Sequence, residues 1–148
     1  IGLQGLGEVL PYKDNYMTLD DELTDKWGMP AVRFHVRRYD NEMKMREDMI
    51  ATAAEMLEAA GATDIETYNR EHVALGNTNH EMGGARMGRD PQTSVLNGWN
   101  QAHDIPNLFV TDGACMASAA NQNPALTFMA LTARATHYAV DQLKKGEI

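Results

Sequence analysis

Between residues 76 and 104, glycine, asparagine and aspartate crowd out apolar residues, and neither a helical nor an alternating period survives. A stretch this long without periodicity folds as an irregular segment, and in a compact domain such segments are functional or disordered. Regular elements must therefore come from the residues on either side of it. On the N-terminal side, Val32, Phe34 and Val36 alternate with Arg33, His35 and Arg37 after Pro30. That period of two predicts a half-buried strand with a basic outer face. The face reads as solvated, with contact to an anionic substrate as the lesser alternative.

Asp40-Asn41-Glu42 offers a helix start, and Met45, Met49, Ala53, Met56, Leu57 and Ala60 then recur at helical spacing up to Gly61, a natural stop. Asp64–Tyr68 reads as a returning strand. Strand, helix and strand together predict an α+β unit in which one helix covers a sheet. The first thirty residues read as short pieces punctuated by turns. Gly2-Leu3-Gln4-Gly5-Leu6-Gly7 has the glycine order G-x-x-G-x-G with no strand before it, so it is a flexible opening loop and not a dinucleotide fingerprint.

On the C-terminal side, Ile105–Thr111 predicts an apolar strand buried on both faces. Asn123 reads as an N-cap and Pro124 as the first helical residue. Leu126, Met129, Ala130, Ala133, His137 and Val140 then mark a helix over about 124–144 that closes with Lys144-Lys145-Gly146. His137 sits on its apolar face and reads as a core histidine.

The formal charge of -8 argues against a nucleic-acid partner, which a basic stripe would serve. No run approaches the roughly 20 apolar residues of a bilayer span. The single cysteine, Cys115, has no companion for thiolate chemistry and reads as a small packing residue. The ten methionines read as adaptable core filler. His72, His80 and Asp90 match no metal-ligand spacing, so no metal is expected. The start at Ile1-Gly2-Leu3-Gln4, without an initiator methionine or a targeting pattern, is expected of a segment of a longer protein.

The chemistry concentrates in the irregular segment and just after it. His80 lies in the bend Asn79-His80-Glu81-Met82-Gly83-Gly84-Ala85-Arg86-Met87-Gly88, an apolar run leads to Asp112-Gly113, and Asn123-Pro124 opens the helix. A histidine exchanges a proton near neutrality, an asparagine orients a hydroxyl, and a helix start attracts negative charge. From the residues alone, His80 could equally cap a turn, and Asp112-Gly113 could be an ordinary strand-ending turn.

The ordered set His80-x-x-Gly83-Gly84-x-Arg86-Met87-Gly88-x-Asp90-Pro91, Ser94-Val95-x-Asn97, His103-x-x-x-Asn107-Leu108-Phe109-Val110-x-Asp112-Gly113 and Asn123-Pro124-x-x-Thr127 resembles the C-terminal signature of the glucose–methanol–choline (GMC) oxidoreductases, with the wording of their sugar- and gluconate-dehydrogenase-like branch. The resemblance implies an FAD-dependent enzyme acting on a small alcohol or sugar. It implies His80 as the catalytic base and Asn123 as its polar partner, a role that Gln122 or Asn121 would take if Asn123 served as the cap. It implies that Asp112, Gly113, Ala114, Asn123, Pro124 and Thr127 face the cofactor, and that His103 positions the loop. Residues 1–104 would then be a substrate-binding region with the active-site loop. Residues 105–148 would supply a strand and a long helix that complete an FAD-binding domain, whose main phosphate site lies in a missing N-terminal region. Electron acceptor and compartment are not legible. The alternatives are a flavin-containing lyase of the same fold, a non-catalytic binding module and a metal-dependent hydrolase.

Overall fold

The structure, a computed structural model, describes residues 1–69, 80–119 and 121–148. The chain forms two compact units, Ile1–Asn77 and Thr78–Ile148. The segment from His80 onward thus belongs with the C-terminal helix, and the division by role at residue 104 falls inside the second unit.

The first unit contains an antiparallel ribbon of β1 (Tyr16–Thr24) and β2 (Pro30–His35). The alternation predicted β2, whereas β1 is hidden in the sequence by Asp20-Asp21-Glu22. Pairing runs from Tyr16 opposite His35 to Leu19 opposite Val32, then shifts before Thr24. Asp20 fills that irregularity. Its carboxylate accepts from the amides of Glu22 (3.0 Å) and Leu23 (2.9 Å), which leave the ladder there, and from Arg33 Nε at 2.9 Å. Those amides, with the Arg33 guanidinium alongside, hold the carboxyl down to about 2.

The two faces of the ribbon differ. One stacks Tyr16 on His35 with ring centroids 4.4 Å apart. The other carries Met17, Leu19, Val32 and Phe34, which are 67%, 64%, 50% and 69% exposed. The expectation of an apolar face covered by a helix is therefore corrected: among the described residues of the first unit the buried ones are Asp20 and Glu42, and neither is apolar. On the basic face, Arg33 pairs with Asp20 at 2.6 Å and Arg37 with Asp14 at 2.9 Å.

Helix α1 (Asp40–Ala59) starts and stops where its sequence signals predict. The Tyr39 amide donates to Glu42 Oε2 at 2.9 Å, while Oε1 receives the Leu10 amide and the Tyr12 hydroxyl, each at 3.2 Å. At the other end Gly61 turns left-handed (φ 82°), with its amide on Glu58 and that of Ala62 on Leu57, a Schellman closure. The opening loop is anchored: a side chain added at Gly5 would meet Met49 of α1, and one at Gly7 would meet Met45. Asp64–Tyr68 forms no strand. The left-handed turn at Asp64 (φ 56°) leads the chain alongside α1, where Ile65 and Tyr68 join Met49 and Ile50 in lining a cavity of about 700 Å³.

Among its described residues, the second unit is irregular up to helix α2 (Ala125–Lys145), apart from the 3₁₀ turn Gly113–Cys115. No strand forms at 105–111, a second correction. Its backbone partners are local, with the Ala102 amide donating to Leu108 and the Val110 amide to Asn100, so no ladder extends from it. Leu108 is 44% exposed, and only Val110 reaches the core of Leu96, Ala102 and Cys115. Helix α2 begins one residue later than predicted. Pro124 occupies the cap position, and its carbonyl accepts the first helical bond from the Phe128 amide at 3.0 Å. Asn123 is therefore not the N-cap. Lys144, Lys145 and left-handed Gly146 (φ 73°) end the helix as expected. No helix among the described residues is long and apolar enough to cross a membrane.

Candidate active site

Backbone hydrogen bonds assemble the site. The amides of Gly83, Ala85 and Met87 donate in turn to the carbonyls of Gly113, Ala114 and Cys115 at 3.1, 3.0 and 2.9 Å. Gly83 (φ 89°) and Gly84 (φ 99°) supply the left-handed bend that lets the loop follow this turn. Asp112 caps the turn, its Oδ1 accepting from the Ala114 amide at 3.0 Å. From the other side, the first turn of α2 brings Phe128 Cζ to within 3.4 Å of where a side chain on Gly113 would begin. The loop after His80, the Asp112–Ala114 turn and the start of α2 thus converge, although they lie far apart in sequence.

His80 stands at the rim of this assembly, exposed, with its backbone left-handed at φ 71°. Asn123 and Thr127 are exposed, Asp112 is exposed, Ala114 is half-buried, and Gly113 and Pro124 are buried. Neither the His80 ring nor the Asn123 carboxamide has a hydrogen-bond partner among the described residues. Because Pro124 holds the cap position, the Asn123 side chain does not cap the helix. His72 lies outside the described residues, and among those described no group of three or more His, Cys, Asp or Glu side chains comes together.

Residues 11–132 match the family model for GMC oxidoreductases. The chain belongs to this family. It is 37% identical over 132 residues to 2-methyl-1,2-propanediol dehydrogenase of Mycolicibacterium austroafricanum, covering 89% of this chain and 24% of that protein. It is 33% identical to the fructose dehydrogenase large subunit of Gluconobacter japonicus, covering 94% of this chain and 25% of the relative. The gluconate 2-dehydrogenase flavoprotein of Pantoea cypripedii is 31% identical, with 89% and 22% covered. The chain spans about a quarter of the length of these relatives.

Several residues of this GMC chain support the site without facing it. His103 Nε2 lies 3.0 Å from Ser94 Oγ, which donates its proton to the Asp90 carbonyl at 2.7 Å. These contacts tie Asp90, Ser94 and His103 together within the loop. Cys115 is 1% exposed in the core, and burial pushes its thiol up. Asn100 was missed in the sequence. It is fully buried and left-handed (φ 63°), donates from Nδ2 to the Val110 carbonyl at 3.0 Å and accepts from Arg134 of α2. The available signal was its place in the turn-rich run Asn97-Gly98-Trp99-Asn100, where asparagine tolerates positive φ. Trp99 stacks on Tyr138 of α2 with centroids 4.9 Å apart, a second tie between loop and helix. His137, expected in the core, is exposed instead and lies 3.9 Å from Asp141. The apolar stripe of α2 buries only Ala135, leaving Leu126 and Met129 in the open.

Proposed function

We propose that this chain serves as the C-terminal part of an FAD-dependent oxidoreductase that removes hydride from the CH–OH group of a sugar, polyol or aldonic acid. Polypeptide beyond these residues supplies the rest of the flavin site. The observation that carries this reading is the backbone pairing of Gly83, Ala85 and Met87 with Gly113, Ala114 and Cys115, because it joins the loop of the histidine to the turn after Asp112. The relatives named as fructose, gluconate and diol dehydrogenases support the substrate class, and one is named a flavoprotein.

In this reading, the substrate hydroxyl passes its proton to an unprotonated ring nitrogen of His80, a general-base contribution of about 10²–10⁴ in rate. The Asn123 carboxamide bonds the same hydroxyl and fixes the direction of the C–H bond. When bound, FAD supplies the hydride acceptor, N5 of its ring. The start of α2 fits such a group: it has no side-chain cap and no acidic residue in its first turn, so its amides are open to negative charge. Pro124 and Thr127 would line this edge, with Asp112, Gly113 and Ala114 along the cofactor's arm.

The test is anaerobic flavin reduction in the flavoprotein that carries this segment. His80→Ala is expected to slow reduction by about 10²–10⁴ at unchanged FAD content. Reduction at the wild-type rate would sink the assignment.

A further inference from the structure

Gly113 does more than leave space for a cofactor: we propose that it is a positioning residue for His80, through the carbonyl of Glu81. This rests on His80 being the base. Gly113 does not have the positive φ that restricts a position to glycine. What excludes a side chain is space. Gly113 is buried, and a Cβ there would overlap the Glu81 carbonyl oxygen, with Met82 Sδ at 3.2 Å and Phe128 Cζ at 3.4 Å. A thioether and a ring edge can swing aside. A carbonyl moves only with its peptide plane, here the one between Glu81 and Met82, and Glu81 is the residue that joins that plane to His80.

The loop cannot absorb the shift on its other side, because the amides of Gly83, Ala85 and Met87 fasten it to the same turn. Displacement from residue 113 therefore passes back through Glu81 to the left-handed joint at His80. The bare Cα of Gly113 sets how closely the Glu81 carbonyl seats, and that seat sets where the imidazole starts.

The experiment compares Gly113→Ala, His80→Ala and the double variant in the flavoprotein that carries this segment. FAD content, anaerobic flavin reduction and its pH dependence are measured. Per bound FAD, Gly113→Ala is expected to slow reduction by about 10²-fold, the scale of a misplacement near 1 Å, and to change the pH dependence of the rate in the same direction as His80→Ala does. The double variant is expected to be no slower than His80→Ala alone. Losses that multiply, or a fall in FAD content that accounts for the slower rate, overturn the proposal. An unchanged rate in His80→Ala overturns the base assignment itself, and is told apart by that single variant. If Gly113→Ala does not accumulate, Gly113→Ala combined with Met82→Ala, which frees the thioether side and keeps the overlap with the Glu81 carbonyl, takes its place with the same criterion: non-multiplying losses support the proposal and multiplying ones overturn it.

Discussion

Arg134 Nη2 reaches Asn100 Oδ1 at 3.2 Å, which fastens the middle of α2 to a fully buried asparagine in the irregular segment. Asn100 also donates to the Val110 carbonyl and holds a left-handed backbone. Replacing it with alanine removes both bonds and strains φ, an expected loss of about 2–3 kcal/mol. Asn100→Gly loses the same bonds but relaxes the backbone, so it should be the more stable of the two. Chemical denaturation of the flavoprotein carrying the segment checks the order, and the reverse ranking would refute the backbone account.

Asp20 gives the ribbon a defined acid sensitivity. Its carboxyl is held at about 2, below the ordinary carboxylate range, by the amides of Leu23 and Glu22 and by Arg33. A depressed folded value means the stabilisation is complete above the unfolded value of about 3.9 and is lost as pH falls from there toward 2. Protection of the Glu22 and Leu23 amides, relative to their intrinsic exchange at each pH, should fall across that interval. In Asp20→Asn, which has no charge to lose, that protection should be lower at neutral pH and nearly independent of pH below it.

Asn123 allows catalysis and helix stability to be separated. Because Pro124 is the cap residue, Asn123→Ala should change stability by no more than about 0.5 kcal/mol, the range of an ordinary surface position. The same substitution should slow flavin reduction by at least about tenfold through lost orientation of the hydroxyl. A melting shift as large as a lost cap, about 1 kcal/mol, would return Asn123 to the helix end.

The bare face of the ribbon predicts how the isolated chain behaves. With Met17, Leu19, Val32 and Phe34 all at least half exposed, the 148 residues expressed by themselves should bind an apolar dye such as ANS. Phe34→Ser should weaken that signal. The isolated chain should also neither retain FAD nor turn over, and a yellow stoichiometric product from this segment alone would contradict the proposed division of the flavin site.

What was legible in the sequence followed from period. β2, α1 and α2 each carry a repeat of two or of three to four residues, and their stops at Gly61 and Gly146 are glycines where left-handed geometry is needed. β1 was not legible, because Asp20 owes its place to amides released by an irregular ladder, a partnership that no side-chain pattern announces. The apolar run at 105–111 was misread for the opposite reason: its residues look like a strand, yet their backbones pair only within a local turn. The residues of the candidate site could be named from the motif, while the convergence of their segments could not, since the bonds joining residues 83–87 to 113–115 run from main chain to main chain.

Two glycines of the second unit obey opposite rules, and a saturation library would separate them. Gly146 has open space around it but an unusual dihedral, so asparagine and aspartate should survive there. Gly113 has an ordinary dihedral and no free volume, so even alanine should be counter-selected. The substitution spectrum at each position would thus report which constraint acts, torsion at one and steric exclusion at the other.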